Sequence, residues 1–302
     1  MSNVGESSIR KMLTMIAVVA LGAGTGCVPI AVPDGNGNGD ANTPVNLTPN
    51  VVVDLDTNNV DDPFVQPQDP ALAGGGRDQS LQSGGVLEGT GGRDVLIGRI
   101  GQDTLLGYDG PDVLIGGVEH FNPSNRDRAL GGKGNDVFIW KPGDGSDFFD
   151  GQEGTDVLVL GLLGELENDE VVFKVINDQK TGQIYLDPSS DLPRVDVTGS
   201  PGFCTVVDSS TSAEAATQLA ALGLDRLVRF SIRGIADAFD AGDQTDDNGL
   251  RVTIHTRNVE YLICTPREGG AIEVLDLTTT PPTVASLEDL AGVVPGIADM
   301  VF

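Results

Sequence analysis

Seven aspartates, Asp94, Asp103, Asp112, Asp127, Asp136, Asp147 and Asp156, hold one register in this chain, at successive spacings of 9, 9, 15, 9, 11 and 9 residues. Carboxylates repeated so densely repel one another wherever a fold brings them together. At one strand spacing, near 4.8 Å, and an effective dielectric of about 20, an unscreened pair costs roughly 3 to 4 kcal/mol. A bound hard cation reverses that sign. Such an ion takes six to eight oxygens from carboxylates and backbone carbonyls, whereas the lack of Cys/His clusters in the sequence speaks against zinc.

The elements that must position these groups are short repeats. Gly89-Thr-Gly-Gly-Arg-Asp94-Val-Leu-Ile97, Gly98-Arg-Ile-Gly-Gln-Asp103-Thr-Leu-Leu106 and Gly107-Tyr-Asp-Gly-Pro-Asp112-Val-Leu-Ile115 run without a gap. A fourth opens at Gly116-Gly117, takes an insertion carrying His120, Phe121 and Pro123, and resumes at Arg126-Asp127-Arg128-Ala129-Leu130. Gly131-Gly-Lys-Gly-Asn-Asp136-Val-Phe-Ile139, Pro142-Gly-Asp-Gly-Ser-Asp147-Phe-Phe-Asp150 and Gly151-Gln-Glu-Gly-Thr-Asp156-Val-Leu-Val159 complete the array, and a decayed first copy spans 73–81 with Asp78. The first six residues of each copy must make a tight turn with converging carbonyls, in conformations that glycine enters freely. The last three form a short strand whose middle residue points inward: Leu96, Leu105, Leu114, Ala129, Phe138, Phe149 and Leu158.

This nonapeptide resembles the G-G-x-G-x-D-x-U-x repeat of the RTX, or hemolysin-type, calcium-binding family. The resemblance covers less than a third of the chain and implies a parallel β-roll over residues 73–160. It further implies calcium ions (Ca2+) held between turns on the same side of the roll. Asp94, Asp112, Asp136 and Asp156 would then stack on one side and Asp103, Asp127 and Asp147 on the other, with turn ligands at Gly89, Gly91, Gly107, Gly131 and Lys133. Thr90, Arg99, Tyr108 and Gln152 stand where the second glycine is expected, and Asn125 and Pro142 replace other glycines. The site between Asp127 and Asp147 is therefore expected to be the weakest, and that between Asp112 and Asp136 among the better ones. The roll is expected to be loose without calcium and to fold on binding it.

Composition agrees with a cation partner. With 45 acidic and 18 basic residues and a formal charge of -27, the chain is unsuited to nucleic acid or to anionic membrane surfaces. Residues 1–27 read as an export segment: Arg10 and Lys11 precede an apolar stretch over 12–23, and Gly24, Thr25 and Gly26 precede Cys27. The end of that segment resembles a bacterial lipoprotein signal, which implies lipidation of Cys27 and an extracellular or cell-surface location, with the membrane met only through the lipid. Gly24 departs from that pattern, so cleavage near Ala23 or no cleavage stays open. Cys204 and Cys264 then remain, either as one disulfide or as two buried thiols. Residues 28–72, rich in Gly, Pro, Asn and Asp, are expected to be a disordered linker.

Residues 161–302 are expected to form a β-rich C-terminal domain, with strand-like runs over 170–176, 182–186, 226–232, 250–256, 259–264 and 271–277. Thr211 and Glu214 suggest a capping box for a helix bearing Ala215, Leu219 and Leu222, and Ser286 with Asp289 a second short one. The fold class expected is all-β dominated: a parallel β-roll followed by a β-rich region with one or two short helices. The sequence holds neither an H-E-x-x-H nor a G-x-S-x-G motif. His120 is read as solvated, His255 as structural, and the acidic run with Asp240, Asp243, Asp246 and Asp247 as a solvated loop. These features favour a non-catalytic calcium-binding module whose C-terminal region meets a cell-surface or extracellular ligand. The alternative is a calcium-dependent extracellular hydrolase.

Overall fold

The computed structural model describes residues 51–54, 85–98, 102–117, 126–175, 183–233 and 251–302. The export segment with Cys27, the copy at Asp78, the insertion with His120 and the acidic run over 237–247 lie outside the described residues.

The chain alternates between two parallel sheets that enclose one interior. The first sheet stacks β2 (Val86–Glu88), β4 (Thr104–Asp109), β6 (Arg128–Lys133) and β8 (Phe148–Glu153). The second stacks β3 (Asp94–Ile97), β5 (Val113–Ile115), β7 (Val137–Trp140) and β9 (Val157–Leu160). The chain is thus a mostly β protein built on a parallel β-solenoid. At the β3 edge the second sheet gains β1 (Val51–Asp54), paired in parallel. This β-branched Val-Val-Val run lies within the stretch expected to be a linker, and the open edge of β3 gives its backbone groups partners.

Register explains the core. Leu96 stands opposite Leu114, Leu114 opposite Phe138, and Phe138 opposite Leu158. On the facing sheet Leu87, Leu105, Ala129 and Phe149 line up in the same way, and all eight side chains are fully buried. Phe138 and Phe149, one from each sheet, stack with ring centroids 5.3 Å apart, bringing aromatic bulk into the layer where Ala129 is small.

The two sheets differ on their outer faces. In the second sheet the flanking residues are apolar too: Val95, Ile97, Val113, Ile115, Val137, Ile139, Val157 and Val159 form a second buried cluster. A parallel sheet with both faces apolar must be covered on both. The cover comes from beyond residue 160: Leu163 in β10 (Leu162–Glu167), Leu192 and Val195, Leu290 in a helix and Ile297 and Met300 in another. Strand β10 makes a small antiparallel sheet with β11 (Glu170–Phe173), β12 (Gln183–Ile184) and β13 (Val195–Asp196).

The same C-terminal region also lengthens both sheets of the roll. Strand β16 (Arg251–Arg257) pairs in parallel with β8, and β17 (Tyr261–Cys264) in parallel with β9, adding one more turn to the solenoid. Antiparallel strands then finish each sheet: β15 (Arg226–Ile232) and β14 (Gly202–Val207) beyond β16, β18 (Glu273–Asp276) and β19 (Thr283–Ala285) beyond β17. The change of sequence character at Gly161 is therefore accompanied by no break in either sheet. Cys204 in β14 is disulfide-bonded to Cys264 in β17 across the two sheets.

Three short helices are found among the described residues. Helix α1 (Ala213–Leu222) is capped by Ser212, which accepts from the N–H of Ala215 at 3.0 Å, one residue after the expected Thr211. Thr211 is already engaged, its Oγ1 accepting from the N–H of Asp208. Leu219 is the buried residue of that helix, and Leu222 is exposed. Ser286 caps α2 (Leu287–Ala291) through the N–H of Asp289, as the sequence suggests. Helix α3 (Ile297–Met300), just after Pro295, has no counterpart among the expected elements.

Candidate metal centre

Each repeat aspartate closes the turn that precedes a strand of the roll, and all seven are at most 1% exposed. Asp94, Asp112, Asp136 and Asp156 lie along the β3-β5-β7-β9 side, where the N–H of each residue donates to Oδ1 of the next at 2.8 Å. On the other side Gly85 N–H donates to Asp103 at 2.6 Å, Asp103 to Asp127 at 2.7 Å and Asp127 to Asp147 at 2.8 Å. Oδ1 of Asp103, Asp112, Asp127, Asp136, Asp147 and Asp156 therefore serves as a rung between turns.

The second oxygen is placed differently. Oδ2 of Asp112, Asp136 and Asp156 is buried with no hydrogen-bond partner. A methyl group built on Gly107 would come closer than 3.0 Å to both Asp112 Oδ2 and the carbonyl oxygen of Gly131. The same crowding recurs at Gly131, from Asp136 Oδ2 and the Gly151 carbonyl, and at Gly151, from Asp156 Oδ2 and the Asn258 carbonyl. Acceptor oxygens converge with no proton between them, an arrangement that is unfavourable in an apolar interior unless a cation or a proton intervenes. Glycine is required at these positions because a side chain would fill the cradle.

The electrostatics follow from burial. Loss of solvent pushes the Asp112 carboxyl from 3.8 up to about 9, reinforced by the Asp136 charge and opposed by the N–H of Asp94. Asp156 is pushed up to about 8, again mainly by burial, with the N–H of Asp136 opposing. Asp136 is pushed up to about 7 by burial, against the N–H of Asp112. Metal-free, Asp112 and Asp156 favour the protonated form at neutral pH and Asp136 is balanced between its two forms; a divalent cation among them would restore the carboxylates.

Asp94 is served locally instead: Thr90 Oγ1 donates to its Oδ2 at 2.9 Å, and the Thr90 N–H donates to the same oxygen. Here the residue that replaces the second glycine supplies donors to the carboxylate. Gly89 still faces Asp94 Oδ2 and the Gly107 carbonyl, at 2.8 and 2.7 Å from its Cβ position. Gly91 is exposed, with open space where a side chain would stand. The Lys133 carbonyl accepts from Gly110 N–H at 2.6 Å, and its exposed ammonium lies 4.0 Å from Asp109.

The pair expected to be weakest has an extra member. Asp127, Asp144 and Asp147, all buried, place carboxylate oxygens within 4.8 Å of one another. Asp144 occupies the third, variable position of the Pro142 repeat and is oriented by the N–H groups of Gly117 and Gly145, both at 2.9 Å. Attention to the glycines alone passes over it. Glu260 was also missed: its Oε2 accepts from Asp156 N–H at 2.8 Å and so forms the next rung. The available sign is Glu260-Tyr-Leu-Ile263, which follows Asp94-Val-Leu-Ile97 with glutamate for aspartate and tyrosine for valine.

His255 lies in β16 with Nδ1 3.3 Å from the carbonyl oxygen of Asp147, a structural position.

No family model matches the sequence, and no curated protein matches it. Among solved structures, the solution structure of the AlgE6R3 subunit from the Azotobacter vinelandii mannuronan C5-epimerase is similar, at 19% identity over 57% of this chain and 68% of that one, with a TM-score of 0.20.

Proposed function

We propose that this chain is a non-catalytic calcium-binding protein of the RTX type, acting outside the cell, in which calcium completes the folding of the roll. One observation carries the reading: buried, partnerless Oδ2 atoms of Asp112, Asp136 and Asp156 converge with turn carbonyls at three successive glycine cradles. An all-oxygen donor set in a turn of backbone carbonyls suits calcium, which takes many oxygens in flexible geometry, better than magnesium, which demands a tight octahedron and keeps its waters. Extracellular calcium would be available to a chain carrying the export segment and lipidation site read at residues 1–27. The C-terminal region, which both covers and extends the roll, would present the surface that meets a cell-surface or extracellular ligand.

The test is a calcium titration of the full chain after chelation, followed by far-UV circular dichroism and calorimetry. Uptake of about three to five ions with a gain of strand signal is expected. A spectrum unmoved by millimolar calcium would overturn the reading. Hydrolysis of ester, glycoside or peptide substrates that appears only with calcium would favour the hydrolase instead.

A further inference from the structure

The aspartate rungs do not end with the repeats. Between β16 and β17 the chain turns in the short segment Asn258-Val259-Glu260, without glycine, where each repeat uses six residues. In register this segment still does what a repeat does. Thr256 stands opposite Phe149 and Leu262 opposite Leu158, so the inward positions continue. Asn258, at φ 50°, offers its carbonyl oxygen to the Gly151 cradle, as Gly131 does at Gly107 and Gly151 at Gly131. Glu260 accepts the N–H of Asp156, as Asp156 accepts that of Asp136. The longer glutamate side chain can reach the rung from a turn half the usual length.

We infer that the Gly151 cradle, which the Asn258 carbonyl and Glu260 complete from beyond the repeats, is a cation site shared by the last repeat and the C-terminal region, whose filling fastens β16 and β17 onto the roll; this rests on the calcium reading above. What points to a ligand is Asp156 Oδ2, a fully buried atom with no hydrogen-bond partner, aimed with the Asn258 carbonyl into the space over Gly151. No other site in the roll takes ligands from two segments so far apart in sequence, among the described residues: Asp156 and Glu260 are separated by 104 positions. A cation there makes the closure of the C-terminal region onto the roll depend on calcium, and orders the chain of events: repeats first, closure last.

The experiment uses the full chain and calcium alone. Hydrogen exchange is followed over 251–264 and over 104–139 as calcium is raised, and bound ions are counted by elemental analysis, for the natural chain and for Glu260→Gln. The amide keeps an acceptor for the Asp156 N–H but removes the charge. In the natural chain both segments gain protection on calcium addition. In E260Q one fewer ion is retained at calcium levels that saturate the natural chain. The midpoint over 251–264 moves to roughly tenfold higher calcium while that over 104–139 stays. Equal ion counts and equal midpoints in the two proteins would overturn the inference, and so would a natural chain that binds calcium without added protection over 251–264. Neither result would touch the calcium reading, which fails if the natural chain takes up no calcium or its spectrum does not respond to it; that outcome sinks both.

Discussion

The backbone N–H of Asp112 donates to Oδ1 of Asp136 at 2.8 Å, across a separation of 24 residues. That contact divides the work of one carboxylate. Oδ1 of Asp136 fixes the preceding turn on its side of the roll, while Oδ2 is left facing the Gly151 carbonyl over Gly131. The first task needs only an acceptor; the second needs a charge, and then only when a cation is present.

Asp136→Asn separates the two tasks. Its amide oxygen keeps the rung, and its Nδ2 would donate to the Gly151 carbonyl where two acceptors now face each other. In a chelator above about pH 8, where the Asp136 carboxyl is ionised, the variant is expected to be more stable than the natural chain, by about 1 kcal/mol or more. In saturating calcium the order reverses, because a charged ligand is gone. Thermal melts in chelator and in calcium check this, and a variant that is less stable in both would count against a cation role for Oδ2.

The pH dependence has the opposite sign to that of an ordinary surface carboxylate. Asp136, Asp156 and Asp112 have folded values raised to about 7, 8 and 9 from 3.8. Their contribution to stability in a chelator is therefore fully present below about pH 4 and is lost as pH rises through those values. Denaturant midpoints without calcium are expected to fall as pH rises from about 4 to about 9. Over the same window calcium affinity rises and binding releases protons, seen as heats that depend on the buffer. Midpoints that rise in chelator would contradict the burial of these groups.

Tyr108, Gly132 and Gln152 occupy one register across β4, β6 and β8, and all three have positive φ, at 73, 117 and 72°. Left-handed backbone costs a side chain roughly 1 to 2 kcal/mol, partly returned because glycine is freer when unfolded. Gln152→Gly is expected to stabilise by about 0.5 to 1 kcal/mol. Gly132→Ala is expected to cost more than about 3 kcal/mol, since its methyl would meet the Tyr108 carbonyl. Calcium-saturated denaturation curves of the two variants test the pair together.

Much of the roll is legible in sequence because each copy solves the same local problem. Period, glycine turn and inward middle residue mark the strands and the core, while the alternation between sheets and the two aspartate stacks follow from the resemblance to the RTX nonapeptide. The buried outer face was legible too, in a different sign: Val95 with Ile97 and Val137 with Ile139 flank their inward residues with apolar groups, while Thr104 and Arg128 in the other sheet do not. Attention to the inward position alone hides that asymmetry, and with it the reason residues beyond 160 must pack there. The turn at Asn258 is harder to find. It keeps the function of a repeat through a backbone carbonyl and a longer acid, so neither the glycines nor the aspartate of the period marks it. The cap of α1 shows a third kind of limit. Thr211 and Ser212 are both competent, and the preceding turn at Asp208, invisible to the local pattern, takes the first and leaves the second.

The disulfide gives the last prediction. Cys204 and Cys264 sit in different sheets and close a loop of 60 residues that contains α1, β15 and β16. Constraining a loop of that length in the unfolded chain contributes on the order of 4 kcal/mol. Trp140, the one tryptophan of the chain, lies 4.9 Å from Phe230 of β15, ring centre to ring centre, and so reports on this end of the interior. Unfolding followed by tryptophan fluorescence in saturating calcium is expected to lose about 4 kcal/mol on reduction. Cys204→Ser should lose about as much as the Cys204→Ser, Cys264→Ser double variant, because either change opens the same loop. Two thiols that titrate freely in the native, unreduced chain would show instead that the sheets are held without the bond. Equal stability before and after reduction would then follow from the core around Trp140 and Phe230 alone.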